Sequence, residues 1–148
     1  MATEKSKRID EAQIGELIDR WLRALRAKDL EGIMSCYAPD ILVFDLLPPL
    51  RYVGADAYRK NWAEWFPTFQ GPIGYELRDL TITRGDDLAF SHSLNRVSGK
   101  RTDGTDSNTW VRATVCYRKI DGKWMIAHEH VSVPFYMESG KASVDLKP

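Results

Sequence analysis

The sequence predicts an α+β domain in which helices come first and pack on one face of a curved, mainly antiparallel sheet. Three observations carry this. Apolar residues recur at helical spacing near the start of the chain, and after Gly71-Pro72 the pattern changes to long β-rich runs. Between the last two of those runs stands Asp121-Gly122, a strong short-range hairpin signal. The chain has 148 residues, which fits one domain over 1–148 and is enough to bury a core.

Taken in order, residues 1–8 are polar and expected to fray. From Asp10 onward Ile14, Leu17, Ile18, Trp21, Leu22 and Leu25 repeat at three and four, so residues 10–27 read as an amphipathic helix. Asp29 reads as the N-cap of a short second helix with Leu30, Ile33, Met34 and Tyr37 inward, stopped by Pro39. Residues 41–45 read as a strand, Pro48-Pro49 as a turn, and residues 55–66 as a third helix that carries Tyr58, Trp62, Trp65 and Phe66 and closes at Pro67. Four strands follow, at 73–83, 88–97, 109–119 and 123–133, with a Gly-, Asp- and Thr-rich loop over 99–107. Residues 134–148 lack periodicity and are expected to trail across the surface or onto a partner subunit.

Charge and composition narrow the function classes. Lys plus Arg and Asp plus Glu both number 21, and the only basic cluster is Lys5-Ser6-Lys7-Arg8, so nucleic acid has little electrostatic purchase. No apolar run approaches membrane-spanning length and the polar start lacks a signal-peptide core, which points to a soluble, cytoplasmic protein and no membrane partner. Cys36, read on a helix, and Cys116, read on a strand, are expected as small core residues in a reducing compartment, not as a disulfide or metal pair. Five Trp and five Phe are ample for an aromatic-lined cavity or simply for core.

Within this pattern Asp45 stands alone in the apolar run from Ile41 to Leu50. A carboxylate among Phe, Val, Leu and Pro side chains has its pKa raised by desolvation unless a hydrogen bond or cation compensates. A raised carboxylate is what a general base near neutral pH needs. An aspartate that ends a strand or caps a turn produces the same sequence, so both readings stand at this point.

The element order resembles the cone-shaped fold shared by nuclear transport factor 2, ketosteroid isomerase and the SnoaL-like polyketide cyclases, the NTF2-like or cystatin-like fold. The similarity is densest at Lys28-Asp29-Leu30-Glu31-Gly32-Ile33, Tyr37-Ala38-Pro39-Asp40 and Phe44-Asp45. The ending Asp121-Gly122-Lys123-Trp124, with His128-Glu129-His130-Val131-Ser132-Val133-Pro134, resembles the SnoaL-like branch, and the likeness spans residues 10 to about 135. It implies that Asp45 occupies the isomerase's general-base position, eight residues after the tyrosine that Tyr37 matches. It also exposes two departures. Trp21 stands where the first-helix tyrosine belongs, and Thr114 or Ala113 where the second aspartic acid belongs. An indole N–H donates one hydrogen bond but is a far weaker acid than a phenol. Steroid isomerisation itself is therefore not expected.

Strand parity supplies a test. With a two-residue Asp121-Gly122 turn, Thr114 opposes Glu129 and Arg112 opposes Val131, so Trp110, Arg112, Thr114, Cys116, Ala127, Glu129 and Val131 share one face. The resemblance turns that face to the cavity, giving Asp45 an Arg112 and Glu129 neighbourhood and sending His128 and His130 outward. A single-residue bulge reverses the assignment and brings both histidines to Asp45.

The candidate catalytic residues are thus Asp45, Arg112, Glu129 and His130, and the candidate ligand contacts Trp21, Tyr37, Trp62, Phe66, His92, Thr114 and His128. Each has a plain structural alternative: a cross-strand ion pair for Arg112 and Glu129, a hydrogen-bonded sheet residue for His92, core for the third-helix aromatics. Asn95 and Asn108 offer amides without distinguishing spacing. A metal reading rests on His128-x-His130 with His92 as third ligand, a weak pattern, and no metal is expected. No Gly-x-Ser-x-Gly and no Gly-rich phosphate loop is present. The reading that results is a homodimeric pocket protein for a small apolar organic ligand, with cofactor-independent acid–base chemistry on a carbonyl-type substrate as isomerase, cyclase, dehydratase or hydrolase. The rival is a non-catalytic ligand-binding or protein-association module.

Overall fold

The computed structural model describes residues 3–148. Thr3 caps α1 (Glu4–Arg26), its side chain accepting from the Ser6 amide. The helix therefore begins ahead of the apolar stripe. Its first turns are polar, so periodicity marks only the part that packs. Residues 3–8 belong to this helix instead of fraying, while Met1 and Ala2 lie outside the described residues. The buried side of α1 is Ile14, Leu17, Ile18, Trp21, Ala24 and Leu25.

Asp29 accepts from the Gly32 amide and caps α2 (Leu30–Met34). The helix is shorter than expected. Tyr37 already belongs to β1 (Tyr37–Phe44), and Pro39 lies inside that strand with its residue exposed. A two-residue strand, β2 (Tyr52–Val53), pairs with β1 at the edge and is too short to read from sequence. Next comes α3 (Ala55–Trp65), continued by a 3₁₀ turn (Phe66–Thr68) in which Pro67 sits. The remaining strands are β3 (Gly74–Arg84), β4 (Leu88–Lys100), β5 (Asp106–Ile120) and β6 (Lys123–Ser132). Pairing extends β4 and β5 into the stretch expected as loop, through Gly99↔Ser107 and Lys100↔Asp106.

The sheet order is β2-β1-β6-β5-β4-β3. All neighbours are antiparallel except β1 and β6, which run parallel and bring the early and late parts of the chain together. α1 packs on β3 and β6, and α3 on β1, so the helices cover one face. Asp121 and Gly122 both take positive φ, 51° and 77°, the turn that suits the twist of a two-residue hairpin.

That hairpin starts in the expected register, with Ile120↔Lys123 and Tyr117↔Ile126, and then slips. Cys116 pairs with His128, leaving Ala127 as an extra residue, and beyond it Val115↔Glu129 and Thr114↔His130. The bulge changes which face β6 presents from Ala127 onward. Glu129 and Val131 thus join Val111, Ala113, Val115 and Tyr117 on the inner, helix-covered face. Arg112 and Thr114 turn outward with His128 and His130. The bulge weighed from sequence is present, but it turns Arg112 and Thr114 outward instead of bringing His128 and His130 to Asp45.

The last residues form a local loop closed by Ser143 N–H to the Pro134 carbonyl, and an isolated bridge joins Phe135 to Ala142. Among the described residues no helix is long and apolar enough to cross a membrane.

Candidate active site

Between the helices and the inner sheet face lies a cavity of about 230 Å³, lined mainly by apolar side chains. Its polar end is built by three elements. β1 ends at Phe44, and since Val43 pairs with Glu129, alternation carries Asp45 to the same inner side. β6 supplies Glu129 at 3% exposure, and the first turns of α3 supply Tyr58 and Asn61.

Tyr58 stands between the two carboxyl groups, its hydroxyl 3.1 Å from Asp45 Oδ2 and 3.3 Å from Glu129 Oε2. Asp45 Oδ1 accepts from the Leu46 amide at 2.6 Å, and Asn61 Nδ2 approaches Oδ2 at 3.5 Å. A second line reaches Glu129 from behind the cavity wall. Trp21 Nε1 donates to the Tyr37 hydroxyl at 2.9 Å, and Tyr37 in turn holds down the Glu129 pKa that burial raises. The indole at position 21 thus serves the tyrosine at 37.

The electrostatics follow from this geometry. Burial, and then the charge of Asp45, push Glu129 up to about 8, against the opposing hydrogen bonds from Tyr58 and Tyr37. Burial also raises Asp45, while the Leu46 amide and Tyr58 hydroxyl pull it back. The pair therefore gives up its first proton from Asp45 and holds the second, on Glu129, to about 8. A Tyr hydroxyl has a single proton to give. In that state Tyr58 donates to Asp45 and is itself free to accept from the protonated Glu129.

Further round the wall, Tyr75 accepts from Asn95 Nδ2 at 3.0 Å, Ser93 Oγ donates to Asn95 Oδ1 at 2.6 Å, and Ser91 and Tyr117 share a 2.8 Å contact. Trp62 Nε1 is buried without a hydrogen-bond partner, and its ring lines the cavity. That N–H faces the Tyr37 hydroxyl, not the cavity.

Of the residues picked from sequence, Asp45, Glu129, Trp21 and Trp62 line the cavity. Tyr37 and Phe66 are buried outside its lining. Arg112 is on the outer face, exposed, donating to Ser132 Oγ at 3.2 Å, so it is not the partner expected for Glu129. His92, Thr114 and His130 lie in a row across β4, β5 and β6 on that outer face, all exposed. His128 Nδ1 is engaged by the Leu42 carbonyl at 2.6 Å, and Phe44 packs edge-on against both His128 and His130. His130 reaches only a shallow outer cleft that shares Asp45, Leu46 and Val131 with the cavity wall. Among the described residues no three His, Cys, Asp or Glu side chains converge on a metal-sized site. Cys36 and Cys116 are free thiols, the first buried and the second half-buried on the outer face.

Tyr58 is the residue that sequence reasoning passed over as core. It carried the signal of a phenol one turn ahead of Trp62 on the third helix, but nothing in spacing separates a packed tyrosine from a bridging one.

A family model described as a SnoaL-like domain matches residues 14–136. The chain belongs to the SnoaL-like family. This SnoaL-like protein is similar to an NTF2-like protein of unknown function from Pseudomonas putida, with 41% identity, TM-score 0.87, and 95% of this chain and 98% of that one covered. It also resembles a candidate scytalone dehydratase from Novosphingobium aromaticivorans, with 14% identity, TM-score 0.79, and coverage of 98% and 100%. A ketosteroid isomerase-like protein from Erwinia carotovora atroseptica matches with 21% identity, TM-score 0.70, and coverage of 82% and 93%. The latter two likenesses concern the fold, the NTF2-like cone implied by the sequence. No functionally curated protein matches the SnoaL-like chain.

Proposed function

We propose that this SnoaL-like protein catalyses proton transfer at carbon beside a carbonyl group of a small, largely apolar substrate, as an isomerase or dehydratase. The observation that carries the reading is the Tyr58 hydroxyl held between Asp45 and Glu129 in an apolar cavity. Two carboxyl groups whose environments separate their protonation states form an acid–base pair.

In the step, Asp45 takes the proton from the carbon next to the carbonyl, and the C–H electrons move into the carbonyl oxygen. Protonated Glu129 is the donor at hand for the developing oxyanion. The proton now on Asp45 is either returned to a second carbon, which completes an isomerisation, or passed to a β-hydroxyl that leaves as water. Neither route draws on a redox group or a metal. The candidate dehydratase and the isomerase-like neighbour bear names of these two reaction classes, and at their identities they support the fold that houses the pair.

The test is solvent deuterium incorporation, followed by NMR, for a panel of small cyclic ketones and β-hydroxy ketones. Exchange by the unmodified protein and its loss in Asp45→Asn supports the reading. Binding of panel members without exchange in either protein overturns it in favour of a ligand-binding module.

We also infer a homodimer through the outer sheet face, where Leu88 and Phe90 are 59% and 45% exposed on the strand that carries His92. Light scattering on Phe90→Glu against the unmodified protein checks it: loss of a dimer is expected, and a monomer in both refutes it.

A further inference from the structure

At the opposite side of the aromatic wall from Asp45 the cavity meets a cation. Arg101 lies just past β4 and lines the same cavity. It is held on every side. Its backbone bridges Phe69 and its amide donates to the Thr105 carbonyl. Nε donates to Ser107 Oγ at 2.7 Å and Nη1 to Thr68 Oγ1 at 2.6 Å. The guanidinium carbon stacks 4.1 Å from the Phe69 ring centroid and 5.9 Å from that of Trp65.

Asp103 feels the charge of Arg101, but no carboxylate among the described residues forms an ion pair with it. The two acids nearest in sequence are otherwise engaged, Asp103 by the Thr105 amide and hydroxyl, Asp106 by Lys100. Both hydrogen bonds that the Arg101 side chain donates go to neutral hydroxyls, and Nη2 donates to no protein acceptor among the described residues. A structural clamp between Thr68 and Ser107 needs only neutral donors. A rigid guanidinium with one nitrogen unspent in a ligand cavity has a further use, because its fork matches a carboxylate.

Position along the cavity gives the orientation. On α3, Tyr58 meets Asp45 and Glu129, Trp62 lies one turn on, and Trp65, two turns on, sits under Arg101. The acid–base pair and the cation are thus separated by the aromatic floor. A ligand anion is repelled by Asp45 and attracted by Arg101, so it can occupy only the far end. With a single cation in a mostly apolar wall, a monoanion is matched and a phosphate dianion is left half-neutralised.

We propose that Arg101 anchors a carboxylate, and that the substrates of this site are small monocarboxylic acids with an aryl or alkyl body lying along Trp62 and Trp65. The identity of the reactive end rests on the acid–base reading above, but the anchor does not.

Calorimetric titration with 4-phenylbutanoate and its neutral amide, 4-phenylbutanamide, tests the anchor on unmodified protein. The acid is expected to bind roughly tenfold tighter or more, as suits a charge-assisted pair. In Arg101→Gln that advantage disappears while amide binding stays within about twofold; Arg101→Lys, which keeps charge but not the fork, retains part of it. In Asp45→Asn the acid's advantage persists. Equal binding of acid and amide to the unmodified protein overturns the anchor, as does an undiminished preference in Arg101→Gln. An Arg101-dependent preference with no deuterium exchange on any substrate keeps the anchor and removes the catalytic reading. Failure of both probes to bind overturns the anchor together with the pocket itself.

Discussion

Val43 of β1 pairs in parallel register with Glu129 of β6, and that pairing sets Asp45, two residues further on, beside the buried glutamate. An antiparallel partner would give β1 a different register, and the acid pair would not meet. The parallel contact also explains why Tyr58 reaches both carboxyl groups. α3 packs on β1, so a side chain from its first turns lies over the seam between β1 and β6.

Stability should fall as pH rises through the neutral range. Folded, Glu129 keeps its proton to about 8; unfolded, it releases it near 4.5. Between those values the folded state holds the extra proton, so its contribution to stability is full below 4.5 and declines by up to about 1.4 kcal/mol per pH unit until the folded group ionises. Urea unfolding across this range should show the decline in the unmodified protein and a flatter profile in Glu129→Gln. Equal slopes in the two would place the titration elsewhere.

Turnover should be bell-shaped in pH. The rising limb belongs to ionisation of Asp45, displaced above the ordinary aspartate range by burial, and the falling limb near 8 to loss of the Glu129 proton. As the groups interact, both limbs belong to the pair. Glu129→Gln should lose the falling limb, and Asp45→Asn should cost roughly 10²–10⁴ in rate.

Removing the bridge should loosen the pair. Tyr58→Phe takes away the hydrogen bond that Asp45 accepts and that lowers its pKa, so the Asp45 pKa should rise, as read by carboxyl-carbon NMR titration. A stability loss of about 1–3 kcal/mol is expected, since buried acceptors lose their donor. Unmoved Asp45 titration would show that the hydroxyl does not bridge in solution.

The outer-face residues should be silent in catalysis. Arg112→Ala and His130→Ala remove exposed side chains beyond the sheet from the cavity. Ligand affinity should change less than about twofold in each, as for other surface substitutions. A large loss from His130→Ala would mean that His130, and not Glu129, faces the cavity.

The sequence by itself determined the helical stripe of α1, the Asp29 cap, the Asp121-Gly122 turn and the stranded position of Asp45, because each is a local matter of spacing or turn chemistry. It also carried Glu129 to the cavity, though by a register the molecule does not use. What only the tertiary structure decided was the face of each residue past Ala127. One extra residue in a strand is invisible to a period of two until the partner strand supplies the pairing, and it sent Arg112 and both histidines outward. The same holds for Tyr58 and Arg101. Their types and positions are plain in the sequence, but only packing places one hydroxyl between two acids and leaves one guanidinium outside the ion pairs of the described residues. Asp45 looked isolated because sequence records the neighbours along the chain, and its working neighbours come from α3 and β6.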